Sequence, residues 1–89
     1  MRESLIESYL VRSVESMGGI AYKFVSPGRR GAPDRMVLLP GGVIVFVEVK
    51  ATGMLPKSHQ AREHTRMREL GQTVLVLDSL KAIDSWLTQ

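Results

Sequence analysis

The spacing of apolar residues in the first segment of the chain predicts an amphipathic helix. Apolar side chains recur at steps of three and four residues between Glu3 and Met17, at Leu5, Ile6, Tyr9, Leu10, Val14 and Met17. This period collects them on one face of a helix. Gly18-Gly19 follows directly, and glycine is a common helix stop. We therefore expect a helix over residues 3–17 that packs its apolar face on the protein.

Four further apolar runs have the character of β-strands. Residues 20–25 (IAYKFV) are β-branched and aromatic enough for a strand, and residues 73–77 (TVLVL) form a short continuous one. Residues 35–39 and 43–50 are joined by Pro40-Gly41-Gly42. Paired glycines supply the positive φ angles of tight turns, so these two runs predict a β-hairpin. The second run, VIVFVEVK, is typical of a buried central strand.

Two more helices follow the hairpin. Ser58 is a candidate cap for a helix to about Leu70, with Gly71 as its stop. Asp78 and Ser79 are candidate caps for a last helix, which carries Leu80, Ile83, Trp86 and Leu87. Trp86 fits the core face of that helix, and it fits a dimer contact equally well. The predicted order is α-β-β-β-α-β-α, an α/β protein with an α+β mixed sheet and helices on its faces.

The composition indicates one small domain over residues 1–89. The chain is 44% hydrophobic and 24% charged, which is ordinary for a globular protein. A domain of this size has a marginal core, which dimerisation would relieve. The absence of cysteine excludes disulfides and thiolate zinc sites. No apolar run approaches the roughly 20 residues of a membrane span, so we expect a soluble, cytoplasmic protein without a membrane partner.

Basic residues cluster in the loop between the first two strands. The net charge is only +3, which favours anionic partners without identifying one. Four cations, however, surround a single acid, Asp34, within one short stretch: Lys23, Arg29, Arg30 and Arg35. Glycines flank the arginine pair, so this loop is a candidate for binding a phosphate backbone. Arg62, Arg66 and Arg68 alternate with acids later in the chain and fit a solvated helix face.

An acid and a base end the central strand. Side chains alternate between the faces of a strand, so Glu48 and Lys50 point to the same side as Ile44 and Phe46. Burying either charge alone would cost several kcal/mol. Both are tolerable at a strand end if a metal ion and a phosphate complete the neutralisation. The plain alternative is a surface ion pair of little energetic worth.

The predicted hairpin adds a second acid. Pairing Leu39 with Val43 or Ile44 places Asp34 opposite Glu48 or Val49. Two carboxylates and a backbone carbonyl, for which we expect that of Val49, suit Mg²⁺ or Mn²⁺. Such a metal polarises a phosphodiester and helps to generate hydroxide, and Lys50 is placed to position water or stabilise charge on phosphorus.

Pro33-Asp34 followed by Glu48-Val49-Lys50 resembles the PD-(D/E)xK nuclease motif. The stretches KFVSPGRRGAPDR, VEVK and GQTVLVLDS, with a glutamine-containing helix between the last two, resemble the virus-type replication-repair nuclease (VRR-NUC) family. The similarity extends from the first helix to Ser79. It implies the core fold of Holliday-junction resolvases and restriction endonucleases. It also implies Mg²⁺- or Mn²⁺-dependent hydrolysis of DNA, often branched or flapped, by a homodimer.

The resemblance suggests further site residues. Such nucleases often add a carboxylate from the first helix, for which Glu7 is the better candidate and Glu3 the alternative. Gln60 matches the family's helix glutamine and would orient water or phosphate, although a solvated position is equally compatible. Lys23 follows the family pattern on the first strand and is assigned to DNA binding. His59 and His64 are expected on the helix surface.

Three classes of function are compatible with these features. The first is a structure-selective DNA endonuclease, probed by cutting of a four-way junction with Mn²⁺ and with chelator. The second is a DNA-junction-binding module of the same fold without catalysis, and the complete set of Asp34, Glu48 and Lys50 argues against it. The third is a small interaction protein with a basic loop, which would not bind a junction in chelator.

Overall fold

A computed structural model describes residues 1–89 and contains three helices and four strands. In chain order these are α1 (Glu3–Ser16), β1 (Ile20–Lys23), β2 (Arg35–Leu39), β3 (Val43–Val49), α2 (Ser58–Glu69), β4 (Val74–Leu77) and α3 (Leu80–Leu87). The order and the α+β character are as predicted. No helix has the length and apolar character needed to cross a membrane.

The four strands form one mixed sheet in the order β1-β2-β3-β4. β2 is antiparallel to both β1 and β3, whereas β3 and β4 are parallel. A parallel pair requires a crossover connection, and α2 supplies it. The predicted hairpin turn is present, with φ angles of 89° at Gly41 and 78° at Gly42. These positive angles are ones that glycine adopts without strain.

The hydrophobic core lies on one face of the sheet, beneath α1 and α3. Alternate residues of β3 point into it, and its main members are fully or almost fully buried: Ile6, Leu10, Val14, Val37, Val45, Val47, Val49, Leu77 and Ile83. Trp86 is half-buried against this cluster, which corresponds to the core position predicted for it. Ser79 caps α3, since its Oγ accepts the N–H of Ala82 at 3.0 Å.

The second face of the sheet is covered by α2 only in part. α2 lies over the side of β3 that carries Glu48 and Lys50. Toward β1 the same face is left uncovered, and Ile20, Tyr22 and Ile44 have relative exposures of 47%, 47% and 50%. The register places six apolar residues on it: Ile20, Tyr22, Met36, Leu38, Ile44 and Phe46. We refer to these six residues as the open sheet face.

The element boundaries depart from the predictions at three strands, at the end of α1 and at one cap. α1 ends at Ser16 instead of residue 17, and β4 begins at Val74 instead of residue 73. β1 ends at Lys23, two residues before the predicted end, although the N–H of Phe24 still donates to Asp34 O at 2.9 Å. β3 ends at Val49 instead of residue 50. The cap residue of α2 is Lys57 and not Ser58, because the side chain of Gln60 folds back to the Lys57 N–H.

Candidate active site

The β2–β3 hairpin brings Asp34 beside Glu48. Arg35 pairs with Val47, so the next position sets Asp34 opposite Glu48, the first of the two registers considered from the sequence. The Asp34 carboxylate accepts, through Oδ2, the backbone N–H of Val49 at 2.9 Å. One acid is therefore held by the backbone of the strand that carries the other.

Glu48 is buried at the centre of the site, with an exposure of 2%. Its Oε2 lies 3.2 Å from the Lys50 ammonium and accepts a hydrogen bond from Gln60 Nε2, also at 3.2 Å. Its Oε1 is buried and has no hydrogen-bond partner. Because an unpartnered buried carboxylate oxygen is energetically costly, this atom is suited to binding a cation.

Gln60 connects α2 to the end of β3. Its Oε1 accepts hydrogen bonds from Lys50 Nζ and from the Lys57 backbone N–H, each at 2.9 Å, while its Nε2 donates to Glu48. The side chain thus faces the protein, as its helical stripe predicts. Holding Lys50 and Glu48 is a role that the sequence did not reveal, and contact with water or phosphate stays a prediction.

Burial and the neighbouring Asp34 both affect the ionisation of Glu48. Burial, followed by the charge of Asp34, raises the pKa of Glu48 from 4.5 to about 7, against the opposing effect of Lys50. Burial disfavours the charged form, and a second carboxylate repels it. A divalent cation between the two acids would reverse both effects, because it attracts the ionised form.

The donor set fits a cation that retains water. No three histidine, aspartate or glutamate side chains converge closely enough to hold a metal by themselves. Mg²⁺ commonly takes one or two carboxylates and keeps several waters, since it gives up its hydration shell reluctantly. Asp34 and Glu48, with the Val49 carbonyl as the predicted third ligand, meet that requirement for Mg²⁺ or Mn²⁺.

Arg35 engages Glu7, the predicted helix carboxylate, and a role in the site for Glu7, as for the alternative Glu3, stays a prediction. Glu7 Oε2 accepts a hydrogen bond from Arg35 Nε at 2.9 Å, in a largely shielded ion pair. The charge of Glu3, in contrast, contributes to the raised pKa of Glu48. Both residues border the same helical stripe, so the helical period could not show which turn of α1 lies nearer the end of β3.

Two of the four predicted DNA-binding cations are placed unfavourably for that role. Arg35 is only 17% exposed; it donates to Glu7 and, through Nη1, to the Ala21 carbonyl at 3.1 Å. Arg35 therefore links α1 to β1 through hydrogen bonds, and its guanidinium group is not available to bind a phosphate. Lys23 is exposed, but its pairing with Arg35 directs it to the α1 side of the sheet, away from Glu48.

The glycine-rich loop with the other two cations packs against the start of α2. Gly31 has a φ of +88°, and a Cβ there would lie 2.6 Å from the His59 carbonyl oxygen, so no larger residue fits. Arg29 Nη1 and Arg66 Nε each lie 3.5 Å from Glu63 Oε1, and both arginines stay more than half exposed. The loop and α2 thus present their arginines on a common surface.

Cations surround His59 on this surface. Partial burial, and then the charges of Arg30, Lys57, Arg62 and Lys50, lower the pKa of His59. The basic surface therefore extends to Lys50 and the carboxylate pair. We call its exposed cations the basic ridge: Arg29, Arg30, Lys57, Arg62 and Arg66. The arginines of α2, expected from the sequence only as a solvated helix face, are part of this ridge.

His64 is buried, which corrects the expectation that both histidines lie on the helix surface. Its exposure is 1%, and its Nε2 lies 3.9 Å from Glu48 Oε1. Burial, and then the charges of Arg68 and Lys50, lower the pKa of His64, so the ring is neutral at pH 7. The sequence did indicate this burial, because His64 lies four residues after Gln60 and therefore on the same face of the helix.

Comparisons with known proteins identify relatives over most of the chain. No family model matches. The chain is 61% identical over 79 residues to "Putative nuclease p44" of Acyrthosiphon pisum secondary endosymbiont phage 1, across 89% of this chain and 85% of that protein. A solved structure described as "VRR_NUC domain" matches with a TM-score of 0.91 and 42% identity, across 98% of this chain and 95% of that one. The resemblance predicted from the Pro-Asp and Glu-Val-Lys motifs is confirmed, and the chain belongs to the VRR-NUC family.

Proposed function

We propose that this protein is a divalent-metal-dependent endonuclease that hydrolyses phosphodiester bonds in DNA. The observation that carries the proposal is the pairing of Asp34 with Glu48, whose Oε1 is buried without a partner. Mg²⁺ or Mn²⁺ bound there supplies Lewis-acid polarisation of the phosphate and a lowered pKa for water. The relative from the phage carries the name of a nuclease, which agrees with this assignment.

The chain's own side chains provide the rest of the chemistry. In hydrolysis a water oxygen bonds to phosphorus, one phosphorus–oxygen ester bond breaks, and the leaving oxygen takes up a proton. Lys50 donates hydrogen bonds to the phosphoryl oxygens and stabilises the negative charge that builds up on them. Gln60 keeps the ammonium group in place through its hydrogen bond at 2.9 Å.

The basic ridge is the proposed path of the DNA backbone. It extends from the loop along α2 as far as Arg66, and we expect a strand bound along it to pass Lys50 and the carboxylate pair. Contacts of arginine and lysine with phosphate add affinity and position the DNA without reading its sequence. This path retains Arg29 and Arg30 from the predicted set and adds Lys57, Arg62 and Arg66.

Replacing Arg30 with glutamine is expected to weaken DNA binding and to reduce its salt dependence. Each phosphate contact contributes about one unit to the slope of log K against log salt concentration, so R30Q should lower that slope by about one. Fluorescence anisotropy of labelled DNA in EDTA measures it without cutting. R12Q is the matched control, because Arg12 is an exposed arginine of α1, on the other face of the sheet. An unchanged slope in R30Q would remove the loop from the DNA path.

We also propose that the active form is a homodimer that pairs the open sheet face of one copy with that of another. The face is apolar across three strands, and Leu38 of β2 lies between the exposed Ile20 of β1 and the exposed Ile44 of β3. A contiguous apolar surface of this kind is characteristic of an interface. A second copy would bury it and would relieve the small core of an 89-residue chain.

Ile44→Asp is expected to weaken this dimer by about 100-fold or more. A dimer would bury the exposed half of Ile44, which contributes roughly 1 kcal/mol per copy, and a carboxylate in its place would be desolvated at further cost. A two-fold interface carries both losses twice. Sedimentation equilibrium should give about twice the chain mass of 9.9 kDa for the parent and the chain mass for I44D. The control is L70D, since Leu70 is exposed by 76% at the end of α2, outside this face. A parent monomer, or an I44D dimer of unchanged affinity, would contradict the proposal.

Branched DNA, such as four-way (Holliday) junctions or flaps, is the proposed substrate class. A two-fold dimer carries two sites and can therefore act on two strands of one branch point. The test is a panel of labelled junctions, flaps, forks and linear duplexes, incubated with Mg²⁺, Mn²⁺ or EDTA. We expect cutting of branched substrates with either metal and none in EDTA. Junction binding without cutting under every condition would instead support a DNA-binding module.

A further inference from the structure

The buried histidine behind the carboxylate pair has no part in the reaction described so far. His64 Nε2 is buried and has no hydrogen-bond partner, and the same holds for Glu48 Oε1. The two atoms face each other at 3.9 Å, and the two side chains are 1% and 2% exposed. Nearly all buried polar atoms in proteins are paired, so two adjacent unpaired atoms of complementary character call for a physical explanation.

α2 directs two side chains, one helical turn apart, at the two oxygens of a single carboxylate. Gln60 donates to Glu48 Oε2 at 3.2 Å, and His64, four residues later on the same face, points its ring nitrogen at Oε1. Residues at this spacing are neighbours on a helix surface. A neutral imidazole protonated at Nε2 is a hydrogen-bond donor at that atom. Each oxygen of the Glu48 carboxylate therefore faces its own donor on α2.

We propose that His64 is a positioning residue that donates its Nε2–H to Glu48 Oε1 and holds the carboxylate in the orientation that binds the divalent metal. The observed distance exceeds a hydrogen bond by about 1 Å, which a rotation of the ring or the carboxylate closes. A carboxylate oxygen has two lone pairs, so the hydrogen bond leaves Oε1 able to bind a cation. Partners that orient a metal ligand in this way typically change metal affinity or activity by about 10–100-fold when they are removed.

This inference rests on the proposed metal-dependent function, and its test separates the two. Mn²⁺ alone is titrated into the parent, H64L, H64Q and H64N by calorimetry, without DNA. H64L removes the donor and keeps an apolar side chain in the buried position. H64Q places an amide N–H near the position of Nε2, whereas the shorter side chain of H64N ends near the position of Nδ1. Thermal unfolding in EDTA reports whether each variant is folded.

We expect H64L and H64N to bind Mn²⁺ about 10–100-fold more weakly than the parent, and H64Q to bind within a few-fold of it. The rescue by glutamine distinguishes a donor from a residue that only fills space. If H64L does not fold, the comparison of H64Q with H64N makes the same distinction. Equal Mn²⁺ affinity in the parent, H64L and H64N would overturn the proposed role of His64 but not the proposed metal site. Equal losses of Mn²⁺ affinity in H64Q and H64N would do the same. A parent that binds no Mn²⁺ would overturn the proposed function, and this inference with it.

Discussion

Asp34→Asn is expected to reduce DNA cutting by about 1000-fold while DNA binding is retained. The change keeps the size of the side chain and removes one of the two charges that would hold the cation. A bound metal contributes several kcal/mol of transition-state stabilisation, and about 4 kcal/mol corresponds to a factor of 1000 in rate. Single-turnover cutting of a labelled junction in Mn²⁺ measures the loss, and anisotropy in EDTA measures binding.

The matched control for this variant is Asp84→Asn. It makes the same charge change on α3, where Asp84 accepts a hydrogen bond from the Tyr9 hydroxyl at 2.6 Å. Because α3 packs on the other face of the sheet, D84N should cut at the parental rate. Cutting by D34N within a few-fold of the parent would contradict the assignment of Asp34. A similar loss of cutting in D84N would mean that the cutting rate reflects the stability of the protein and not the chemistry of the site.

Glu48→Gln is expected to stabilise the metal-free protein at pH 8. Folding raises the pKa of Glu48 from 4.5 to about 7, so the folded state holds this proton at pH values where the unfolded chain has released it. Stability should therefore fall as the pH rises from about 4.5 to 7, by on the order of 3 kcal/mol in total. A glutamine has no proton to release and avoids this loss.

Urea unfolding in EDTA between pH 4 and pH 8 measures the effect. The parent should lose stability over this window, E48Q should lose much less, and Mn²⁺ should restore the parent but not E48Q. E15Q serves as the control, because Glu15 is an exposed acid of α1. Parallel pH profiles for the parent and E48Q would show that burial and Asp34 do not destabilise the ionised form of Glu48.

The hairpin and its acids could be predicted because local chemistry determines them. The glycine pair at residues 41–42 requires a tight turn, and the alternation along β3 assigns each side chain to a face. Turn and alternation together limited the register to two pairings, and the structure has the one that places Asp34 opposite Glu48. Each of these constraints acts over a few residues, so the amino-acid sequence contains them directly.

The partners of Arg35 and His64 could not be predicted, because they depend on how whole elements pack. Whether Glu7 or Glu3 of α1 approaches Glu48 depends on how far the helix extends along the sheet, and residues one turn apart share the same periodicity. Arg35 follows Asp34 in a basic loop, so composition suggested a phosphate ligand, but strand alternation turns it toward α1. Burial of His64 depends on α2 docking directly over Glu48.

An anomalous-difference map of crystals grown with Mn²⁺ tests the central claim most directly, namely that Asp34 and Glu48 bind one divalent cation. We expect a peak about 2.0–2.3 Å from an oxygen of each carboxylate, within the range of oxygen–metal distances for such ions, and within reach of the Val49 carbonyl. A fully occupied peak elsewhere, or none at an Mn²⁺ concentration that supports cutting, would contradict the account.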